Sequence, residues 1–313
     1  MSLHAALAAM LVALAIDAAI GWPDALFRRI GHPITWCGAL IGLLDRAWNK
    51  GPAPLRRLGG TAAALLVIFI SAVIAGLLQL LMPFGVPGIL LTGVLAWPLV
   101  AARSLDNHVA AVAAPLAQND LPRARREVAK IVGRDPERLD APGIARAALE
   151  SLAENSSDGI IAPLFWGALF GLPGIAAYKA VNTLDSMLGH RSPRYLAFGW
   201  ASARIDDLAN LIPARLTALL FVLAARERKP AFVAMWRDAR HHRSPNGGWP
   251  EAALAGALGI RLSGPRAYGD GIAQEPWINA PGRDPGAAEI YAGLALYRLM
   301  LVLAGFALAL AAL

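Results

Sequence analysis

The chain has 313 residues, 57% of them hydrophobic and 16% charged, with a mean hydropathy of +0.49. That is too apolar for an ordinary soluble domain of this length, and it reads as an all-α, multi-pass integral membrane protein lodged in a lipid bilayer. The formal charge of +7 does not point to nucleic acid, because the bases are spread over loops with no aromatic-studded strand or helix-turn-helix pattern.

Leu3 to Ile20 is long enough to cross a bilayer but contains Asp17. It lacks a basic leader region, so it reads as mature protein. The single cysteine, Cys37, excludes an internal disulfide framework and any multi-cysteine metal site, and reads as a small buried apolar residue. Leu58 to Ala102 carries no Asp, Glu, Lys or Arg and is about twice the roughly 20 residues that span a bilayer. Met82 to Gly88 breaks helices, which predicts a hairpin of Gly60 to Met82 and Gly88 to Ala102. Gly159 to Tyr178 is uncharged but broken by Pro163, Gly171, Pro173 and Gly174, leaving it open between a crossing and a re-entrant segment. Leu208 to Ala225 is interrupted by Pro213 and Arg215, and Ile290 to Leu313 is a terminal helix with only Arg298 inside it. About five spans are expected.

Three loops gather the bases: Arg28, Arg29, Arg46, Lys50, Arg56 and Arg57; then Arg123 to Arg146; then Arg226 to Arg243. By the positive-inside rule all three face the cytoplasm. Asp140 before Pro142 and Asp284 before Pro285 are helix-start signals. Residues 103–157 and 226–289 are therefore expected to be cytosolic helical insertions within one membrane domain covering 1–313.

Glu150 to Arg215 sets carboxylates, amides and bases beside bilayer-grade apolar sequence. A charge at bilayer depth costs about 2.5–3.5 kcal/mol, so such a cluster is a candidate site. Glu150, Glu154 and Asp158 are four apart and line one helix face, where like charges favour a bound cation or protonation; Asn155 to Gly159 is equally turn chemistry at a solvated helix end. Lys179, Asn182, Asp185 and Ser186 share a helix face, with Lys179 suited to a phosphate and Asn182 and Asp185 to Mg²⁺. A helix lining a water-filled vestibule has the same face. Arg204, Asp206, Asp207 and Asn210 follow. Adjacent aspartates point about 100° apart, so one suits metal and the other orients Arg204 or Arg215, the alternative being a helix cap.

Arg191, Arg194 and Tyr195 offer further phosphate or carboxylate partners. His241 and His242 lack the second cluster a zinc site needs, whereas Arg243, Ser244 and Asn246 read as anion or amide binders, and Arg261 with Gly264 to Gly269 as a second such loop. Walker, dinucleotide, H-E-x-x-H and G-x-S-x-G patterns are all absent, so any nucleotide binds by a different architecture. The residues alone predict a membrane protein with a cytosolic-side polar pocket for Mg²⁺ and phosphorylated ligands.

Longer strings carry a resemblance. Glu154 to Gly159 with Ala162 to Trp166, Lys179 to Met187, Phe198 to Asp207 with Ile212 to Thr217, and Ser244 to Glu251 resemble the cobalamin-biosynthesis family CobD/CbiB across essentially the whole chain. Asp17, Gly21, Trp22-Pro23 and His32-Pro33 fit too, although the family's usual G-D-P stands here as Gly21-Trp22-Pro23, which leaves no acid at Trp22. The resemblance implies adenosylcobinamide-phosphate synthase, an ATP-dependent amide ligase of the bacterial inner membrane acting on the cytoplasmic side. Members join aminopropanol, or (R)-1-aminopropan-2-ol phosphate, to the free carboxylate of adenosylcobyric acid, with ATP and Mg²⁺. For that reaction Asp158, Asp185, Asp206 and Asp207 are expected at Mg²⁺ or the amine, and Lys179, Arg191, Arg204 and Arg215 at phosphates. Asn155, Asn182, Asn210, Asn246, Ser186 and Ser244 would orient ligands. Trp166, Trp200 and Trp249 suit a corrinoid groove or serve as interface anchors.

Homo-oligomerisation and contacts with other enzymes of the pathway stay open. So do a non-catalytic sensor on the same scaffold and a transporter, although a transporter should show two similar halves and none is seen. One conflict stands out: two full crossings between Asn155 and Arg226 would strand Asn182 and Arg191 on the wrong side from ATP.

Overall fold

A computed structural model describes residues 1–132, 137, 139–190, 192–268, 271–273 and 275–313. In chain order the helices are α1 (Leu3–Ile20), α2 (Asp24–Ile30), α3 (Pro33–Trp48), α4 (Ala53–Leu80), α5 (Val86–Ala96), α6 (Ala102–Ala117), α7 (Leu121–Val128) and α8 (Ala141–Ser156). After a π-helical turn over Ser157–Ile161 come α9 (Ala162–Leu188), α10 (Trp200–Ala209), α11 (Leu211–Ala224), α12 (Arg228–Asp238), α13 (Gly248–Leu258) and α14 (Ala287–Ala311). Strand β1 (Leu262–Ser263) pairs antiparallel with β4 (Trp277–Ile278), and β2 (Arg266–Tyr268) with β3 (Gly271–Ala273).

Five helical stretches are long and apolar enough to cross a membrane: Leu3–Ile20, Ala53–Leu80, Val86–Ala117, Ala141–Leu188 and Ala287–Ala311. A sixth arises if α10 and α11, broken at Asn210, count as one. The boundaries shift where charge and backbone preference disagree. Helix α4 starts at Ala53 rather than Gly60, because Pro54 suits a first helical turn and arginines are good helix formers. Helix α5 stops at Ala96, since Pro98 tightens Trp97–Leu99 into a 3₁₀ turn.

The chain forms two compact units: Met1–Ala101 with Ala162–Asn210 and Ala307–Leu313, and Ala102–Ile161 with Leu211–Phe306. In the first, Gly93 of α5 lies against Val12 and the Ala9 carbonyl of α1, leaving no room for a Cβ. Helix α9 is two helices rather than one. Gly171 takes φ +67° and ψ −148°, and the segments on either side fold back on each other. A Cβ on Gly167 would lie 3.2 Å from that of Ile175, and one on Gly174 would strike the Trp166 carbonyl. In a continuous helix residues eight apart are about 12 Å apart along the axis. Residues 162–188 are thus a helical hairpin with arms 162–170 and 172–188.

The hairpin tip sits at one end of α4. Gln79 Oε1 accepts the Leu172 N–H at 2.7 Å and blocks a side chain at Gly171, while a Cβ on Gly76 would lie 3.6 Å from Pro173. The second arm then runs antiparallel to α4. Ala180, Leu184 and Leu188 share a core with Ala63, Ala64, Val67, Ile41 and Phe198, and Gly60 lies on the Phe198 carbonyl. The chain leaving the arm is fastened at the α4 end that carries Arg56. Arg56 donates to the carbonyls of Pro193 and Arg194, and Arg194 pairs with Asp45 at 2.6 Å.

The second unit holds both segments expected as insertions, together with α11 and most of α14. Ile144, Ala148, Leu149 and Leu152 of α8 are fully buried, as the helical spacing predicts. Gly293 of α14 lies against Leu149 and Leu152, and Gly256 of α13 against Ala231 and Ala234 of α12. Asp140 caps α8, accepting the Gly143 N–H at 2.8 Å. Asp284, by contrast, does not start a helix. Arg261 holds it bidentately at 2.9 and 2.6 Å and Arg146 at 2.7 Å, while Glu289 reaches back to the Gly286 N–H at 2.8 Å and opens α14. Arginines remote in sequence outbid the local cap.

Candidate functional site

In the first unit the polar stripe of Lys179, Asn182, Asp185 and Ser186 lies on the second hairpin arm. Lys179 is buried, Asn182 and Asp185 are half-buried and Ser186 is exposed, its hydroxyl donating to the Asn182 carbonyl. Burial therefore fades along the arm toward the end carrying Arg56. Helix α10 brings a second set of groups to that arm. Arg204 pairs with Asp207 at 2.7 Å, one turn away. Asp206 accepts from Asn210 Nδ2 at 3.1 Å, and Asn210 Oδ1 accepts the Tyr178 hydroxyl at 2.8 Å. Trp166 donates to the Ala209 carbonyl at 3.1 Å, so its indole anchors the α10 end to the first arm.

The charged groups acting on Asp185 are Asp207, then His190 and Arg204. Two carboxylates close enough to repel, with a guanidinium on one of them, are a charge pattern that a divalent cation or an ammonium group would offset. Among the described residues no three His, Cys, Asp or Glu side chains cluster as a metal cage. Mg²⁺ does not require one, since it is commonly held by one or two carboxylates, waters and substrate phosphates. Hard oxygens from Asp185, Asp207 and Asn182 fit that ion. Between the arms lies an apolar cavity of about 430 Å³ lined by Trp166, Phe170, Pro173, Tyr178 and Val181.

His32 belongs to this unit's charge pattern and was not singled out as a site residue from sequence. Burial, then the Lys179 charge, lowers its pKa below the ordinary imidazole value, against a hydrogen bond with Pro98 that raises it. The ring caps α3 by accepting the Ile34 N–H at 3.2 Å and meets Trp22 edge-on at 5.0 Å. Trp22 in turn leans on Trp97 at 5.4 Å, with its Nε1 buried and, among the described residues, lacking a hydrogen-bond partner. The residue in place of the usual acid is thus an aromatic wall beside His32.

The second unit carries its own polar loop. Ser244 Oγ accepts the amides of Asn246 and Gly247 at 3.2 and 3.3 Å, a turn that leads into α13. Asn246 Oδ1 accepts from Arg215 at 3.1 Å, and the same guanidinium donates to the Leu211 carbonyl at 2.7 Å and stacks over Trp249 at 4.6 Å. His241 lies 3.8 Å from Asp238, and His242 lies 3.6 Å from Glu251.

Asp158 is half-buried in the π-helical turn, while Asn155 is exposed and donates to the Ser151 carbonyl at 2.9 Å. A π turn winds wider than the α-helix, so the expected four-residue spacing does not carry through it unchanged. Among the described residues, Ser157 Oγ is buried without a hydrogen-bond partner. Glu150 is spent on the fold, accepting the Ser263 N–H at 2.8 Å, where Ser263 takes φ +61°. Arg191 lies outside the described residues, as do Arg134, Arg138 and Gly269.

A family model described as CobD/Cbib protein matches residues 10–297. A Cobalamin biosynthesis protein CobD of Rhodobacter capsulatus is 65% identical over 292 residues, covering 93% of this chain and 92% of that protein. Proteins of the same name from a Sinorhizobium species and from Brucella suis are 49% and 47% identical, over 96% and 91% of this chain and 96% and 90% of theirs. No solved structure matches.

Proposed function

The chain belongs to the CobD/Cbib family of cobalamin-biosynthesis proteins, and from that premise we propose that it is an ATP-dependent amide ligase of the bacterial inner membrane. It joins (R)-1-aminopropan-2-ol phosphate, or aminopropanol, to the free carboxylate of adenosylcobyric acid and gives adenosylcobinamide phosphate or its unphosphorylated counterpart. A carboxylate and an ammonium do not condense in water. In the proposed route a carboxylate oxygen of the corrinoid attacks the γ-phosphorus of ATP and the bond to ADP breaks, leaving an acyl phosphate. The amine nitrogen then attacks the acyl carbon, phosphate departs, and the nitrogen loses its proton.

Bound Mg²⁺ would supply charge neutralisation at the phosphates. The chain's own groups supply the rest. Lys179 and Arg204 meet phosphate oxygens, and burial of Lys179 keeps that cation poorly hydrated and electrostatically strong. Asp185 and Asp207, with Asn182, hold the cation or seat the ammonium, and the carboxylate nearest the amine takes its proton.

The observation that carries this reading is the hairpin at Gly171. It returns the stripe to the α4 end bearing Arg56 and Arg57, one of the arginine-rich ends that the positive-inside rule assigns to the cytoplasm, where ATP is. A re-entrant hairpin removes the conflict that two full crossings would create. The test is purified protein in detergent with ATP, Mg²⁺, adenosylcobyric acid and aminopropanol phosphate, read by mass spectrometry. A corrinoid amide formed together with ADP supports the ligase; absence of amide, with all substrates shown to bind, overturns it.

A further inference from the structure

The ligase reading leaves unused a cleft of about 700 Å³ in the first unit, between the start of α4 and the chain that follows α9. Its lining mixes Arg56 and Arg57 with Leu58, Leu196 and Trp200. The two arginines differ. Arg56 is committed to Asn49 and to the carbonyls of Pro193 and Arg194, so it fastens the fold. Arg57 lies over the Trp200 ring, 3.6 Å from guanidinium carbon to centroid. Among the described residues its guanidinium has no hydrogen bond or ion pair.

Depth decides what such a cation meets. From Leu58 onward α4 has no charged residue to its end at Leu80, a stretch of about 35 Å at 1.5 Å per residue against a hydrocarbon core of about 30 Å. Arg57, the last charge before that stretch, therefore lies at headgroup level. Leu58 and Leu196 are 68% and 66% exposed on the same cleft, which suits acyl chains rather than water.

We propose that this cleft seats one anionic phospholipid, its phosphate on the Arg57 guanidinium stacked over Trp200 and its first methylenes along Leu58 and Leu196. A small free anion would use the cation alone, and a single exposed cation holds such an anion weakly in salt. A phospholipid uses both the cation and the apolar wall, and the bilayer presents it at high local concentration.

Native mass spectrometry of the full chain in detergent, with phosphatidylglycerol and phosphatidylcholine of matched chains, tests this. The intact protein should retain the anionic lipid in several-fold excess. Arg57→Gln should cut phosphatidylglycerol adducts by about fivefold, the worth of one base against an anionic headgroup, with phosphatidylcholine adducts unchanged. Arg57→Lys should fall between the two, and Trp200→Leu, which leaves Arg57 in place, should also weaken retention. Equal retention of both lipids by the intact protein, or phosphatidylglycerol adducts indifferent to all three substitutions, overturns the proposal. So does displacement of the lipid by millimolar inorganic phosphate or aminopropanol phosphate, which would mark a site for free phosphate instead.

Discussion

Two acidic regions of the chain are built in opposite ways. In the second unit, Asp238 and Asp284 each face arginine: Asp238 takes Arg237 bidentately at 2.7 Å and also accepts the Asn279 N–H at 2.7 Å, and Asp284 takes Arg261 and Arg146. At the open end of the hairpin Asp207 also has an arginine, Arg204, but Asp185 has the like charge of Asp207 among its foremost influences. A carboxylate matched inside the fold stabilises a loop. Two that repel, on rigid helices beside bases, are held there at a cost that a cation or ammonium would offset.

The largest effect that would separate the two regions is on turnover. Asp185→Asn and Asp207→Asn should each lower amide formation by about 100-fold or more with thermal stability kept, whereas Asp284→Asn should lower stability with turnover per folded molecule kept. Unchanged turnover in both hairpin variants would remove the cation or amine assignment. Chelating divalent ions should abolish ADP formation and leave the melting temperature of the ligand-free protein within a degree or so; persistence of ADP formation would remove Mg²⁺ from the account.

A packing effect comes next. Gly60→Val forces a side chain onto the Phe198 carbonyl at the crossing of α4 with the chain leaving the hairpin, and overpacking of this kind costs about 1–3 kcal/mol. A melting temperature equal to that of the parent would show that this crossing yields.

The smallest effect is on acid stability. Burial pushes Asp238 up, but hydrogen bonds from Arg237 and the Asn279 amide outweigh it and hold its pKa below the ordinary carboxylate value. The Arg261 hydrogen bond does the same for Asp284. A carboxyl depressed in the folded state contributes stability above the unfolded value near 4, and loses it as pH falls through the folded value. Stability of the second unit should thus be flat with respect to these groups from pH 7 to about 5 and fall below about 4, and Asp238→Asn should flatten that fall. A fall unchanged in slope would discharge Asp238 from the role.

Much of the helical skeleton was legible because apolar runs and proline-glycine breaks are local signals: Leu3–Ile20 coincides with α1, and Asp140 does cap α8. The break at Gly171 was legible only as an interruption. That the chain reverses there depends on Gly167, Gly174 and Gln79, whose contacts are long-range. The stripe on the second arm was visible from three- and four-residue spacing. The nearness of His32 to Lys179, the Asp207–Arg204 pair and the loss of Glu150 to Ser263 were not, because each is fixed by tertiary packing or by which of several neighbours wins a donor. Asp284 misled for the same reason. The π turn at Ser157–Ile161, which holds Asp158, has no sequence signature of its own.

The sidedness of the hairpin tests the account most directly. The native thiol interferes little, since burial pushes the pKa of Cys37 up to about 11 and leaves it protonated at neutral pH. Single cysteines at His190 and at Phe84, the exposed turn at the opposite end of α4, can be challenged with an impermeant maleimide in sealed right-side-out vesicles. Labelling at residue 84, with residue 190 reacting only after the vesicles are opened, is the predicted result. Labelling of residue 190 in sealed vesicles would put the stripe on the side without ATP and contradict both the hairpin and the ligase built on it.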